Sequence, residues 1–191
     1  LDNAIAPYKK GGAIYGFPKT LDVQGWVGKK SQVEELYQNM TIDSFLSFLE
    51  EHPSAKFEYD GGYSGLLRTC LKFGMGEYVD FAKGVCSFDG QKFRELMERI
   101  KATQNIHAVP RGQWNNVKES DAILFMETRL IDFFALEKKA TEYGEELIFL
   151  GYPSEDGSLV GEAWPEGSLA IAANSKEKEG AWEFLKYYIL N

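Results

Sequence analysis

Few residues in this sequence have both the type and the spacing that catalytic chemistry demands. The carboxylate pairs Glu34-Glu35, Glu50-Glu51 and Glu145-Glu146 are chain neighbours that diverge on a helix or a strand. They read as solvated faces, although a glycosidase pair drawn from distant carboxylates stays open. His52 and His107 are isolated, and no His/Cys cluster has metal-ligand spacing. His52 precedes Pro53 at an expected helix end, where the local dipole is enough to favour it. The acidic run Ser154-Glu155-Asp156-Gly157-Ser158 is too short for an EF-hand loop and reads as a turn. No glycine-rich loop has phosphate-cradling spacing. The expectation is therefore no catalytic residue, no metal and no cofactor. What remains is recognition chemistry. Glu127 and Arg129 can each form charge-assisted hydrogen bonds to hydroxyls, and aromatic residues, 14% of the chain, supply stacking faces.

The bulk properties narrow the partners. The formal net charge of −8 argues against DNA or RNA and against an anionic membrane surface, since both require a basic face. No apolar run approaches the roughly 20 residues that span a bilayer. The sequence has no initiator Met and stops as a helix finishes, so it reads as an excised piece of a longer protein. Cys70 sits among Leu66, Leu67 and Leu71 in a helical pattern and reads as a small buried hydrophobe. A Cys70–Cys86 disulfide is the alternative for a secreted protein.

Positioning elements follow from the pattern of apolar residues. Residues 1–10 read as a polar lead without a period. Ala13 to Phe17 is a short apolar run stopped by Pro18, and Leu21 to Val27 is a second strand candidate. Residues 29–40 carry Val33, Leu36 and Tyr37 at helical spacing. A cleaner helix begins at Thr41, with Asp43 in its first turn and a stripe of Ile42, Phe45, Leu46 and Leu49. A strand at 56–59, a turn at Asp60-Gly61-Gly62 and a helix over 63–73 come next. Val85 to Asp89 leads into a helix carrying Phe93, Leu96, Met97 and Ile100, and 106–117 is expected as a loop. Ala122 to Met126 and Leu147 to Leu150 are continuous apolar runs expected as buried strands, flanking a helix over 130–143. Residues 151–166 read as a loop and 169–173 as a strand. The last helix is N-capped by Ser175, with Ala181, Trp182, Leu185, Tyr188 and Ile189 on one face. Strands alternating with helices predict an α/β domain.

The wording of the tail, SLAIAANSKEKEGAWEFLKYY, resembles a recurrent segment of extracellular solute-binding proteins that feed sugar importers. Further segments resemble the maltodextrin-binding type of that family. They are Gly12 to Pro18, Met40-Thr41-Ile42-Asp43-Ser44-Phe45, Asp121 to Met126, and Phe149 to Pro153 with Asp156-Gly157-Ser158. The resemblance runs along nearly the whole chain, while the large opening part and the closing helices of such proteins are absent.

The resemblance implies an α/β, periplasmic-binding-protein-like type II lobe, with a mixed sheet flanked by helices. Residues 1–20 would be a strand and hinge crossing from the first lobe, 21–161 the second lobe, and 162–191 a return crossing with a strand and helix of the first lobe. It also implies a carbohydrate-binding protein of an ABC importer, a periplasmic protein or a membrane-anchored extracellular lipoprotein. Such a protein is a monomer that captures a sugar or oligosaccharide by lobe closure and hands it to a membrane permease. By position the ligand-binding residues would be Phe17 at the first crossing, Tyr63 after the 60–62 turn, Glu127 and Arg129 after the strand at 121–126, and Trp164 before the tail strand. With Thr128, Glu127 and Arg129 would open a helix. The bland alternative makes Phe17 and Tyr63 core, Trp164 loop packing, and Glu127 with Arg129 a surface pair. Two rival functions have distinct signatures. A glycoside-active enzyme needs two carboxylates converging in a cleft, and a protein-interaction domain shows an exposed apolar patch.

Overall fold

The computed structural model describes residues 5–37, 39–58, 62–103, 109, 122–130 and 133–190. In chain order the elements are β1 (Lys9–Lys10), β2 (Ala13–Ile14), β3 (Thr20–Lys29), α1 (Lys30–Val33), α2 (Ile42–Glu51), β4 (Lys56–Phe57) and α3 (Gly62–Gly74). They continue with β5 (Val79–Asp80), β6 (Val85–Cys86), α4 (Gln91–Ala102), β7 (Leu124–Leu130), α5 (Phe133–Tyr143), β8 (Leu147–Gly151), β9 (Glu162–Glu166) and α6 (Lys178–Leu190). The chain divides into two compact units, Leu1–Val23 with Ala163–Asn191, and Gln24–Glu162.

The unit Gln24–Glu162 is built on a mixed sheet in the order β4-β7-β3-β8. Strands β4 and β7 are parallel, with Phe57 opposite Phe125, and β8 runs antiparallel to β3. Alternation along each strand sends side chains to both faces, and both faces are covered. On one face Trp26, Phe57, Phe125 and Leu150 join Phe45, Leu46 and Leu49 of α2, Leu66 and Cys70 of α3, and Leu96 and Ile100 of α4. On the other, Val27, Met126 and Leu147 meet Leu136, Ala140 and Tyr143 of α5. A sheet buried on both sides needs uninterrupted apolar strands, which is what 122–126 and 147–150 supply. The larger core is aromatic. Phe57 stacks on Phe125 at 4.9 Å, and Trp26 meets Phe57 edge-on at 5.3 Å.

Local chemistry fixes the elements around this sheet. Thr41 Oγ1 accepts from the Ser44 N–H at 3.0 Å, capping α2 where the sequence placed its start. Where β3 passes β8, the register shifts between Trp26 and Val27. Gly151 ends β8 at φ +68°, and a Cβ there would lie 2.0 Å from the Val160 carbonyl oxygen. Both the dihedral and the close approach require glycine.

In the other unit β1 and β2 form a hairpin through Gly11 and Gly12, at φ +58° and +81°. The expected polar lead thus contains a strand, because two glycines in the left-handed region close a tight turn. Phe17 and Leu169 form an isolated bridge, and α6 follows the turn at 173–174.

Several sequence expectations need correction. The strand at 121–126 is shifted: β7 begins at Leu124 and runs through Leu130, so Glu127, Thr128 and Arg129 lie within a strand and open no helix. The helix over 130–143 accordingly starts at Phe133. Residues 169–173 form one bridge rather than a strand. Ser175 Oγ accepts from the Glu177 N–H at 3.2 Å, so it closes the turn ahead of α6 instead of capping it. Among the described residues of 29–40, Lys29 ends β3 and the helical turns are α1 and a 3-10 turn at Glu34–Leu36, and the loop at 151–166 contains β9. Cys70 is buried and Cys86 exposed, both as free thiols, so no disulfide joins them. Asp60-Gly61, His107, Asp121 and all of 106–117 except Val109 lie outside the described residues.

Candidate functional site

The strand β7 changes character along its length. Phe125 is in the aromatic core, and the next two side chains on that face are Glu127, half-buried, and Arg129, exposed. A strand that turns from apolar to charged on one face leads from the core to an accessible polar edge. Around that edge the fold collects residues far apart in sequence. The Tyr152 hydroxyl donates to Glu127 Oε1 at 2.5 Å. Arg129 Nε donates to Gln24 Oε1 of β3 at 3.4 Å. Lys72, near the end of α3, places Nζ 4.0 Å from the Tyr152 ring centroid and 2.7 Å from Glu162 Oε2.

Tyr152 is the fixed point of this arrangement. Its side chain is 1% exposed, packed edge-on against Trp26 at 6.1 Å and stacked on Phe73 at 5.9 Å. With the ring held by aromatics and a cation, the hydroxyl presents its proton to Glu127. One carboxylate oxygen is thereby occupied, and the second has no hydrogen-bond partner among the described residues. Glu58, just past β4, interacts electrostatically with Glu127. Burial pushes its carboxyl above the ordinary value of 4.5, Lys139 at 3.5 Å opposes the shift, and the Glu127 charge adds to it. Together these groups can accept and donate hydrogen bonds to a neutral polar ligand. Glu58 pairs with Lys139 at 3.5 Å, and Glu127 accepts from Tyr152.

Of the five residues expected to bind ligand, the structure brings Glu127 and Arg129 onto one face of one strand. Tyr63 is on the first turn of α3, 53% exposed, and borders a separate groove of about 390 Å³ with Met97, Ile100 and Lys101 of α4. Its core alternative is thus excluded. Phe17 and Trp164 belong to the other compact unit, Phe17 half-buried at its bridge to Leu169 and Trp164 exposed on β9. Sequence reasoning missed Gln24, Lys72, Tyr152 and Glu162. Tyr152 alone carried a signal, as an aromatic directly after the apolar run 147–150 and its closing glycine.

A polar cavity of about 220 Å³ lies elsewhere, among α2, α4 and Glu155. Its cations are matched internally, Arg99 to Asp43 at 2.7 Å and Lys92 to Glu77 at 2.6 Å. It is an ion-pair network joining helices.

No protein-family model matches the sequence, and no curated protein matches it. Solved structures do. The sugar-binding protein MalE from Xanthomonas citri aligns with 97% of this chain and 51% of its own, at TM-score 0.59 and 16% identity. A family 1 extracellular solute-binding protein from Bifidobacterium longum subsp. infantis aligns over 99% and 54%, at TM-score 0.57 and 18% identity. The cyclic alpha-maltosyl-1,6-maltose binding protein from Arthrobacter globiformis aligns over 98% and 51%, at TM-score 0.57 and 14% identity. The chain has the fold of these MalE-like binding proteins. It spans about half the length of each, so the expected periplasmic-binding-protein-like α/β architecture is met over part of that fold.

Proposed function

We propose that this chain is part of a carbohydrate-binding protein of an ABC importer, which captures a sugar or oligosaccharide by closing two lobes and performs no chemistry on it. The observation that carries the reading is the MalE-like fold, shared with proteins whose structures are described as sugar-binding. The edge of β7 supports it from the chemical side. A half-buried carboxylate, a guanidinium and an amide are suited to the hydroxyls of a neutral ligand, and exposed aromatics to its C–H faces. In this proposal Gln24–Glu162 belongs to the second lobe and the flanking segments to the first. Glu127, Arg129 and Tyr63 serve from the second lobe, Phe17 and Trp164 from the first. The protein is monomeric, works outside the cell as a lipoprotein or in the periplasm, and delivers to a membrane permease.

A thermal-shift screen of the complete protein against mono- and oligosaccharides tests this. A ligand that binds only the native state must raise the melting temperature. The expected result is a rise with one sugar class, which is recovered intact, and loss of that rise in Glu127→Gln and Arg129→Ala. No rise with any sugar sinks the carbohydrate reading, and cleavage of the sugar replaces it with a glycoside-active enzyme.

A further inference from the structure

The ion pairs between α2 and α4 wall a cavity and leave part of its polarity unanswered. Four carboxylates line it, Asp43, Glu77, Glu95 and Glu155, against two cations, Lys92 and Arg99. Arg99 is taken up by Asp43 at 2.7 Å, Glu50 at 3.2 Å and the Ser47 hydroxyl at 3.0 Å, and Lys92 by Glu77 at 2.6 Å. Glu95 accepts only from a neutral donor, the Gln91 amide at 2.9 Å. The Glu155 carboxylate has neither a hydrogen bond nor an ion pair among the described residues. Its Oε1 stands 3.4 Å from where a Cβ would sit on Gly76, and its charge reaches Lys92 without pairing. A second observation is independent of these charges. Tyr78 is 4% exposed, its ring held by Phe88 at 6.3 Å and Phe93 at 5.3 Å, yet its hydroxyl makes no hydrogen bond among the described residues. A buried phenol normally finds a partner. This one lines the cavity, and Glu77, Lys92 and Asp43, whose charges it feels, stand on the cavity wall. Burial first, then the Glu77 charge, pushes it above its ordinary value of 10, so it stays neutral and offers a lone pair.

We infer that this cavity is a binding site for a small organic cation, an ammonium or guanidinium group on a short aliphatic stem. The excess of carboxylate chooses the sign, because an anion would meet Glu95 and Glu155 with no cation left to balance them. An N–H of the ligand donates to the Tyr78 hydroxyl, and Glu155 takes a charge-assisted hydrogen bond from another. The stem follows from Ile42, Leu46 and Leu96, which give the cavity an apolar wall. A bare metal ion has no use for that wall, and among the described residues no three His, Cys, Asp or Glu side chains are grouped to hold one. About 220 Å³ is the space of roughly seven waters, which suits a stem of about four carbons with its head group and is too small for an oligosaccharide. None of the residues that form the polar edge of β7 lines this cavity, so the inference does not depend on the carbohydrate reading. The same cationic group can arrive as a free amine or as a basic side chain of a partner protein.

The test titrates n-butylammonium into the complete protein and follows the Ile42 δ-methyl signal by NMR, with no sugar present. A saturable shift is expected with a Kd in the millimolar range, as befits so small a ligand, and it should weaken as salt is added. Butyrate and 1-butanol, which keep the stem and change or remove the charge, should give no saturable shift. Tyr78→Phe keeps the ring between Phe88 and Phe93 and should raise the Kd on the order of 10-fold, the loss of one hydrogen bond to a charged group. Glu155→Gln, on an exposed side chain, should raise it about fivefold. Unchanged melting temperatures in both variants would tie these losses to the site itself. N-acetyl-lysine methylamide separates the two sources. Tighter binding than n-butylammonium assigns the cavity to a side chain of a partner, and equal or weaker binding assigns it to a free amine. No saturable shift with n-butylammonium overturns the inference, as does an equal response to 1-butanol or wild-type affinity in both variants. A failed sugar screen leaves every one of these outcomes readable.

Discussion

The helices α2 and α6 carry the same kind of sequence and meet opposite fates. Both are amphipathic, with large apolar residues repeating along one face. In α2 the stripe of Phe45, Leu46 and Leu49 is fully buried against the sheet, whereas in α6 Trp182, Tyr188 and Ile189 remain open to solvent. The difference lies in the partners rather than in the helices. Among the described residues, every member of the buried core clusters falls between Trp26 and Tyr152, within the unit Gln24–Glu162. An amphipathic pattern states that a face must be covered and is silent on what covers it. Stability should therefore be concentrated in one unit, and substitutions of equal size should separate the two.

The largest effect is expected from Phe125→Ala. Phe125 is fully buried, stacked on Phe57 and edge-on to Phe45 and Phe48. Removing its ring leaves a cavity between β7 and α2, for a loss of about 3–5 kcal/mol in urea unfolding. A loss under about 1 kcal/mol would show that the aromatic cluster is loosely packed and would dissolve the contrast between units.

Next comes Tyr152→Phe, which keeps the ring among Trp26, Phe73 and Lys72 and removes only the hydroxyl. A hydrogen bond to a charged group contributes about 1.5–3 kcal/mol, and Glu127 is half-buried, so the lower end of that range is expected. The double cycle with Glu127→Gln isolates the pair, because the coupling must vanish once either partner is changed. Additive single effects would mean that Tyr152 acts through packing alone and does not orient the carboxylate.

Glu58 provides a pH signature confined to the core unit. Its carboxyl is held above its ordinary 4.5 chiefly by burial, so the native protein keeps this proton at pH values where the unfolded chain has released it. Its contribution is present in full below the unfolded value and is lost as pH rises through the native one. Asp80 and Asp156 have the opposite sign. Hydrogen bonds from Lys83 and from Ser158 hold them low, so their contribution is lost as pH falls. The wild-type curve minus that of Glu58→Gln should decline with rising pH just above 4.5, measured as the urea midpoint. A flat difference would mean that Lys139 offsets the burial.

How much of this was legible in the sequence depended on where the determining contacts lie. The start of α2 was readable because Thr41 and Ser44 are three residues apart and the apolar stripe begins at once. The end of β7 was not. Glu127-Thr128-Arg129 is polar, and polarity after an apolar run suggests that the strand has stopped, whereas here only its exposure changes. The polar edge was less legible still. Its contacts join Glu127 to Tyr152, Arg129 to Gln24 and Lys72 to Glu162, spacings of 25, 105 and 90 residues that no local pattern encodes. Residues 169–173 fail for a different reason. Their composition is that of a strand, but a strand is defined by its neighbour, and among the described residues only Phe17 serves.

The smallest expected effect sharpens the comparison most. Trp182 has a larger side chain than Phe125, so area alone would make Trp182→Ala the costlier substitution. In the 191-residue chain it should cost no more than about 1 kcal/mol, because the ring is already half in water and leaves no sealed cavity. The unfolding midpoint followed through Trp26, at the centre of the aromatic core, should hardly move. A loss comparable to that of Phe125→Ala would mean that α6 is already supported within this chain, and the two helices would no longer differ in kind. A small loss here, with a large one from the same substitution in the complete protein, would locate the missing stabilisation on the face that Trp182 shares with Leu185 and Ile189.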